Sequence, residues 1–385
     1  MTGQATEYCG LSGLYHCMRE NEDVRLIIME ETQRTGAHAM NRIRKSGGFR
    51  ASIFVIVVAL VVYVAVYMPT PYIIYMPGSA DEVKPMVTVK DGDQEERGVF
   101  MMTTVSATYA NVFLLGTSLF NRNMQIDKKE DRLQGKTEAE YSAEQVWFMS
   151  DSQSSAMEAA YEQAGVKYSI VPEHIFVFGL SEDPKPQGDI APGDIILGVN
   201  GTATPDNTVL SALLKDKKVG DTVEMQLERG GETISRDVKL IEVKDSKTGA
   251  TRPGLGVMIG TVQKVKPEDS NKQITFTDTQ VGGPSAGLMF TLEIYNQLTP
   301  GDLTQGHRIA GTGTITKEGV VGPIGGVVHK IVAADRKEAE IFFVPKQNYQ
   351  EAEAKAEQIG TKMKLVPVNT VDDALAYLKT LSAKS

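Results

Sequence analysis

Ser285 stands in VGGPSAGLMF, residues 281 to 290, between glycines and a proline and ahead of apolar residues at helical spacing. Lys330 follows 45 positions later, in VVHKIVAADR. A hydroxyl is a weak nucleophile until a base takes its proton, and a lysine can be that base only when uncharged. Leu288, Leu292 and Tyr295 fall on one face of a helix predicted to start at Ser285, so burial fixes that helix start. Free N–H groups and the helix dipole there favour negative charge. The backbone N–H groups of Ser285 and Ala286 are therefore candidates to hold the oxyanion of a tetrahedral intermediate. In a second predicted helix, Val327, Ile331 and Ala334 form an apolar stripe with Lys330 inside it. Desolvation there disfavours the charged amine and lowers its pKa. Each residue also has a plainer reading. Serine is a favoured N-cap, and a lysine on an apolar stripe usually carries its ammonium out to water.

The surrounding chain has to place these residues. Its 385 residues suffice for two domains of ordinary size. The net charge of −9, with basic residues gathered at 41 to 50, lacks the basic footprint that nucleic acid requires. Both cysteines, Cys9 and Cys17, precede the rest of the chain, which therefore forms no internal disulfide. From Ala51 to Met68 no residue is charged. As a helix this run rises roughly 27 Å, about the hydrocarbon thickness of a bilayer. Apolar on every side, it reads as a single transmembrane helix rather than a core helix. The basic stretch before it keeps residues 1 to 50 cytoplasmic by the positive-inside rule, and residues from 69 onward then face outward. No cleavage site follows, so an uncleaved anchor is expected.

Beyond the helix, residues 69–167 begin with short β-rich segments read as a small antiparallel sheet and end with a helix over Thr137–Ala164 that stops at Gly165. Residues 168–243 read as strands around GDIAPGDIILGVNG, a short helix in NTVLSALLKD and a hairpin across Gly230-Gly231. That order resembles a PDZ domain, a module that binds extended peptides by adding a strand beside its helix. No carboxylate-binding loop is legible within it. VKDSKTGATRPG, residues 243 to 254, reads as a linker. Residues 244–385 alternate strand and helix in an α/β pattern and contain Ser285 and Lys330.

GGPSAG and TGTITKEGVVGPIGGVVHK, in that order, resemble the proteolytic domain of Lon-family serine proteases, over most of Ile274 to Val368. The resemblance implies Ser285 as nucleophile, Lys330 as general base and Thr312 as a residue that contacts the lysine. Gly283 departs from the acid that many members carry there. One membrane helix, a PDZ-like module and this domain together resemble the membrane-anchored Lon-like proteases of Gram-positive bacteria. In that group the β-rich segment before the PDZ module contributes to the catalytic domain, which makes the module an insertion. The expected fold class is α+β: a transmembrane helix, then a Lon-type α/β domain with an inserted PDZ-like module.

The expected activity is a membrane-anchored serine endopeptidase that cleaves exported, unfolded or loop-exposing chains on the outer face, with possible homo-oligomers. No G-x-x-x-x-G-K-[ST] loop occurs, so ATP-independent cleavage is expected. No cofactor or metal is expected, because His16, His38, His174, His307 and His329 show no H-E-x-x-H spacing. Two alternatives compete. GPSAG fits the nucleophile elbow of an esterase with Asp302 and His307 or His329 as partners. A non-catalytic PDZ-like membrane scaffold is the other. Met40 directly precedes the basic stretch and is the expected native start; N-terminal sequencing that finds residues 1 to 39 on the native protein rejects this.

Overall fold

A computed structural model describes residues 47–95, 97–244, 249–277 and 281–384. Cys9, Cys17, His16, His38, Met40 and the expected cytoplasmic tail up to residue 46 lie outside the described residues.

The chain divides into two compact units. The first comprises residues up to Thr70 together with Asn111–Phe113. Its described part is dominated by helix α1, Gly47–Tyr67, whose apolar side chains are unburied on every face. Such a helix has no protein core to enter, and its length suits either a membrane anchor or a signal sequence. The side-chain amide of Asn111 donates to the Val66 carbonyl at 2.8 Å, near the helix's C-terminal end.

The second unit, Pro71–Ala110 with Leu114–Ser385, contains the two larger sheets. The strands of the first are β1 (Pro69–Glu82), β2 (Val99–Asn111), β3 (Gln125–Lys128), β9 (Arg308–Gly311), β10 (Ile341–Pro345) and β11 (Lys364–Val368), in the order β11-β10-β9-β2-β1-β3. The strands of the second are β4 (Tyr168–Leu180), β5 (Ile195–Val199), β6 (Thr222–Arg229), β7 (Glu232–Lys239) and β8 (Val257–Pro267), in the order β8-β4-β5-β6-β7, with the two-residue strand Thr202–Ala203 paired to β5 as a sixth.

The small antiparallel sheet expected after Pro71 is corrected by this topology. Strand β2 pairs in parallel with β9, Arg308 opposite Val99 and Gly311 opposite Met102. The reason is visible in its side chains: Phe100, Met101 and Met102 are consecutive and all buried, so both faces of β2 need cover. One face joins the cluster of Phe100, Met102, Leu288, Ile309 and Phe343. The other joins Met101, Ala310, Ile331 and Phe342. The module between β3 and β9 is thus an insertion in the chain of an α/β domain.

Within that module, the GDIAPGDII motif forms a turn around Asp194, which is fully buried. Asp194 accepts from Arg229 Nε at 2.7 Å and from the Ala191 amide at 2.8 Å, so its charge is paired as burial demands. Asn200 and Gly201 both take positive φ, 48° and 75°, as a tight Asn-Gly hairpin turn requires. The sheet also takes in β8, beyond Val243, and β8 pairs with β4 from Val257↔Leu180 to Pro267↔Tyr168. The expected linker is corrected as well: Ile241–Lys244 pairs antiparallel with Thr251–Gly254. Its β-branched residues Ile241, Val243 and Thr251 suit strands.

Helices α2 (Val112–Ser118) and α3 (Lys129–Leu133) are short. Helix α4, Glu138–Ala164, connects the two sheets. A capping box of Thr137 and Glu140 starts it, and Gly165 in the left-handed conformation ends it. It packs along α6 (Gly287–Leu298) on one side and along β4 and β8 on another, while α5 is Asn207–Leu214. Helices α7 (Val327–Arg336), α8 (Tyr349–Ile359) and α9 (Val371–Leu378) complete the C-terminal domain.

Helix α6 is buried along nearly its whole length, and Phe290 packs edge-on to Phe276 with ring centres 5.1 Å apart. Phe290→Ala is expected to cost about 3–5 kcal/mol of stability, read from the urea unfolding midpoint.

Candidate active site

Ser285 and Lys330 are brought together. Lys330 Nζ lies 3.0 Å from Ser285 Oγ and also donates to the Thr103 carbonyl on β2. The lysine side chain projects from the first turns of α7, between Val327 and Ile331, and the residue is 2% exposed. Burial pushes the amine down from 10.5 to about 7. Near neutrality the nitrogen therefore exchanges between an ammonium that donates to Oγ and an amine able to accept the hydroxyl proton. That is the proton transfer a serine nucleophile requires.

The plainer reading of Ser285 as a helix cap is corrected. Helix α6 begins at Gly287 after Ala286 at φ −94°, ψ −6°, and no side chain caps it. Pro284–Ala286 forms a turn instead, with the Gly287 amide donating to the Pro284 carbonyl at 3.4 Å. This frees the serine hydroxyl to face Lys330. Among the described residues, the amides of Ser285 and Ala286 donate to no protein acceptor, whereas Leu288 N–H donates to the Gly313 carbonyl. Both candidate oxyanion donors thus remain available at a helix start.

Thr312 is fully buried and its hydroxyl donates to the Ser285 carbonyl at 3.0 Å. Its one proton therefore holds the serine backbone, while the lysine nitrogen donates to the Thr103 carbonyl. The Gly313 amide donates to the same Ser285 carbonyl at 2.9 Å. The other side of the serine loop rests on α4: Ser152 Oγ donates to the Pro284 carbonyl at 3.0 Å, and the Gly283 amide donates to the Gln145 carbonyl at 2.9 Å. Gly283 has φ 91°, a conformation in which an acidic side chain is strained. Thr103, Gln145 and Ser152 escape sequence reading because two of their contacts use backbone carbonyls and none sits in a recognisable motif.

The histidines of the esterase reading do not engage Ser285, although His329 lines the same cleft. His307 Nδ1 bonds Glu340 at 2.9 Å, and its Nε2 lies 3.2 Å from the Ser382 carbonyl. Asp302 accepts from the amides of Arg97 and Thr304. His329 is buried, its Nε2 has no partner among the described residues, and desolvation lowers its pKa. None of these groups hydrogen-bonds Ser285.

Ser285 and Lys330 open on a cleft of about 1190 Å³, lined also by Gly282, Gly283, Thr104 and Arg132. A second groove of about 630 Å³ lies in the inserted module, between Leu210, Ser211 and Leu214 of α5 and Val257, Met258 and Ile259 of β8. The loop Gly254-Leu255-Gly256 lines this groove and lies beyond residues 168–243.

Residues 274–380 match the Lon protease (S16) C-terminal proteolytic domain, and residues 177–240 match the PDZ domain family. The Lon protease of Campylobacter concisus is 39% identical over 99 residues, covering 24% of this chain and 11% of that protein. The Lon protease of Neorickettsia sennetsu is 28% identical over 185 residues, 46% of this chain and 22% of that protein. The chain thus spans only a small part of these relatives' length. The crystal structure of the PDZ domain of an SdrC-like protein from Listeria innocua is 26% identical, covers 23% of this chain and 93% of that domain, and has a TM-score of 0.20.

A lysine whose folded pKa lies below its unfolded value releases its proton on folding between about 7 and 10.5, so its contribution to stability rises with pH across that window. Below about 7 both states are protonated and the buried charge costs the most. Lys330→Met should therefore raise stability by a few kcal/mol at pH 6, in order of magnitude, with the gain shrinking toward pH 10. Thermal unfolding of both proteins across this range checks it; a gain over the parent no larger at pH 6 than at pH 10 contradicts the buried amine.

Proposed function

From a chain that carries a Lon-type proteolytic domain with a PDZ domain set into it, we propose a membrane-anchored serine endopeptidase that works by a Ser-Lys dyad. The observation that carries this reading is the 3.0 Å approach of a buried lysine nitrogen to the Ser285 hydroxyl at a helix start. In the proposed cycle Lys330 accepts the Ser285 proton as Oγ attacks the scissile carbonyl. The amides of Ser285 and Ala286 hold the oxyanion, and Lys330 returns the proton to the leaving amine. Thr312 and Ser152 act as positioning residues, since each fixes a carbonyl of the serine loop.

We read α1 as an uncleaved anchor, residues 1–50 as cytoplasmic and residues 69–385 as outside, with the PDZ-like module starting at residue 168 and extending past the expected end at 243 to include β8, and the catalytic parts on either side of it. The substrates in this reading are exported chains with exposed loops or unfolded segments, cleaved without ATP. The PDZ groove supports peptide capture. Strand β8 is at the edge of its sheet beside α5, so an extended peptide can add to it as a further strand.

The test is cleavage of unfolded casein by the full chain, followed by mass spectrometry of exported proteins with and without active Ser285. Ser285→Ala is expected to abolish cleavage, and Lys330→Met to lower it by several orders of magnitude. The kcat/KM of the parent should rise with pH through about 7 as Lys330 loses its proton. A flat profile from about pH 6 to 9, or full activity in the Lys330 variant, rejects the dyad.

A further inference from the structure

Helix α2 and the two residues after it present an unusual amount of apolar surface. Phe120 is 91% and Leu119 79% exposed, and Val112 and Phe113 are also exposed. Large apolar side chains clustered on one short segment mark an interaction site rather than ordinary surface. The start of the segment is located by its own unit: Asn111–Phe113 groups with α1, and the Asn111 side chain bonds the Val66 carbonyl close to where the apolar helix ends. Seven helical residues advance about 10 Å, so Leu119 and Phe120 follow Phe113 closely along the chain. Helical turn bonds persist past α2, Phe120 N–H donating to the Thr117 carbonyl and Asn121 N–H to that of Ser118. Exposed Asn121 and Arg122 come next, polar and cationic groups of the kind that meet lipid headgroups.

We propose that Val112–Phe120 is a second membrane contact, a short helical segment that sinks its apolar side chains into the outer interface of the bilayer. This rests on reading α1 as a transmembrane helix. The energetic logic is that of interfacial helices, whose apolar side chains enter the boundary between headgroups and acyl chains to a depth of about 5–10 Å. A single helix leaves an attached domain free to swing about its exit point. A second contact restricts that swing and presents the domain to chains close to the membrane.

The experiment uses the full chain in lipid vesicles with brominated phosphatidylcholines, which quench tryptophan by contact. Trp147 is the sole native tryptophan, so the parent supplies the background. Two variants are compared, Phe120→Trp and Val57→Trp, the latter at the middle of α1. The added emission at 120 is expected to be blue-shifted and quenched most by bromines near the headgroups, that at 57 most by deep bromines. If position 57 is quenched while position 120 emits as in water, the second contact is rejected and the anchor stands. A blue-shifted but unquenched Trp at 120 means that protein, such as a second copy, covers the segment, and also rejects it. If neither is quenched, the membrane reading itself fails, and this inference with it.

Discussion

A single buried amine organises the C-terminal domain. Lys330 has to be dry for its proton to be weakly held, and keeping it dry requires apolar residues on every side. Val327 and Ile331 on its own helix, and β2 with its unbroken run of buried Phe100, Met101 and Met102, supply that surrounding. A charge in such a place costs stability. The cost is tolerable because the group can shed its proton near neutrality and because the Thr103 carbonyl and the Ser285 hydroxyl satisfy the nitrogen. The topology follows from the same need. Strand β2 reaches the centre of the sheet only by pairing with β9, across the whole inserted module.

Helix α4 ties that module to the serine loop. Through Gln145 and Ser152 it holds the backbone of Gly283 and Pro284. Between those two contacts, Trp147 stacks on Phe178 of β4 with ring centres 5.0 Å apart. Its indole also occupies the space where a side chain at Gly260 of β8 would sit. One helix thus carries contacts to both the loop that presents the hydroxyl and the ribbon whose outer edge borders the peptide groove. A displacement of β8 has a short mechanical route to Ser285.

Much of this was legible in the sequence, and the reasons are local. The apolar run at 51–68, the α4 helix with Thr137 and Gly165 at its ends, and the stripe holding Lys330 all announce themselves through periodicity and capping chemistry. The Gly-Asp turn and the hairpin at Gly230-Gly231 do so through turn residues. Other features depend on partners far away in the chain. The parallel pairing of β2 hides because a buried central strand has no alternation to read. Strand β8 and its glycine loop hide behind a polar segment that looks like a linker until its strands pair. The role of Ser285 could be separated from that of a cap only by seeing where α6 begins, two residues later.

The lysine's second partner is the main-chain oxygen of residue 103, while the Thr103 side chain is occupied with the Gly311 carbonyl at 3.1 Å. Any amino acid that keeps the strand straight would provide the same oxygen. This half of the lysine's environment is therefore encoded by the path of the backbone and leaves no trace in residue identity, so it could persist among sequences that share no letter at that position.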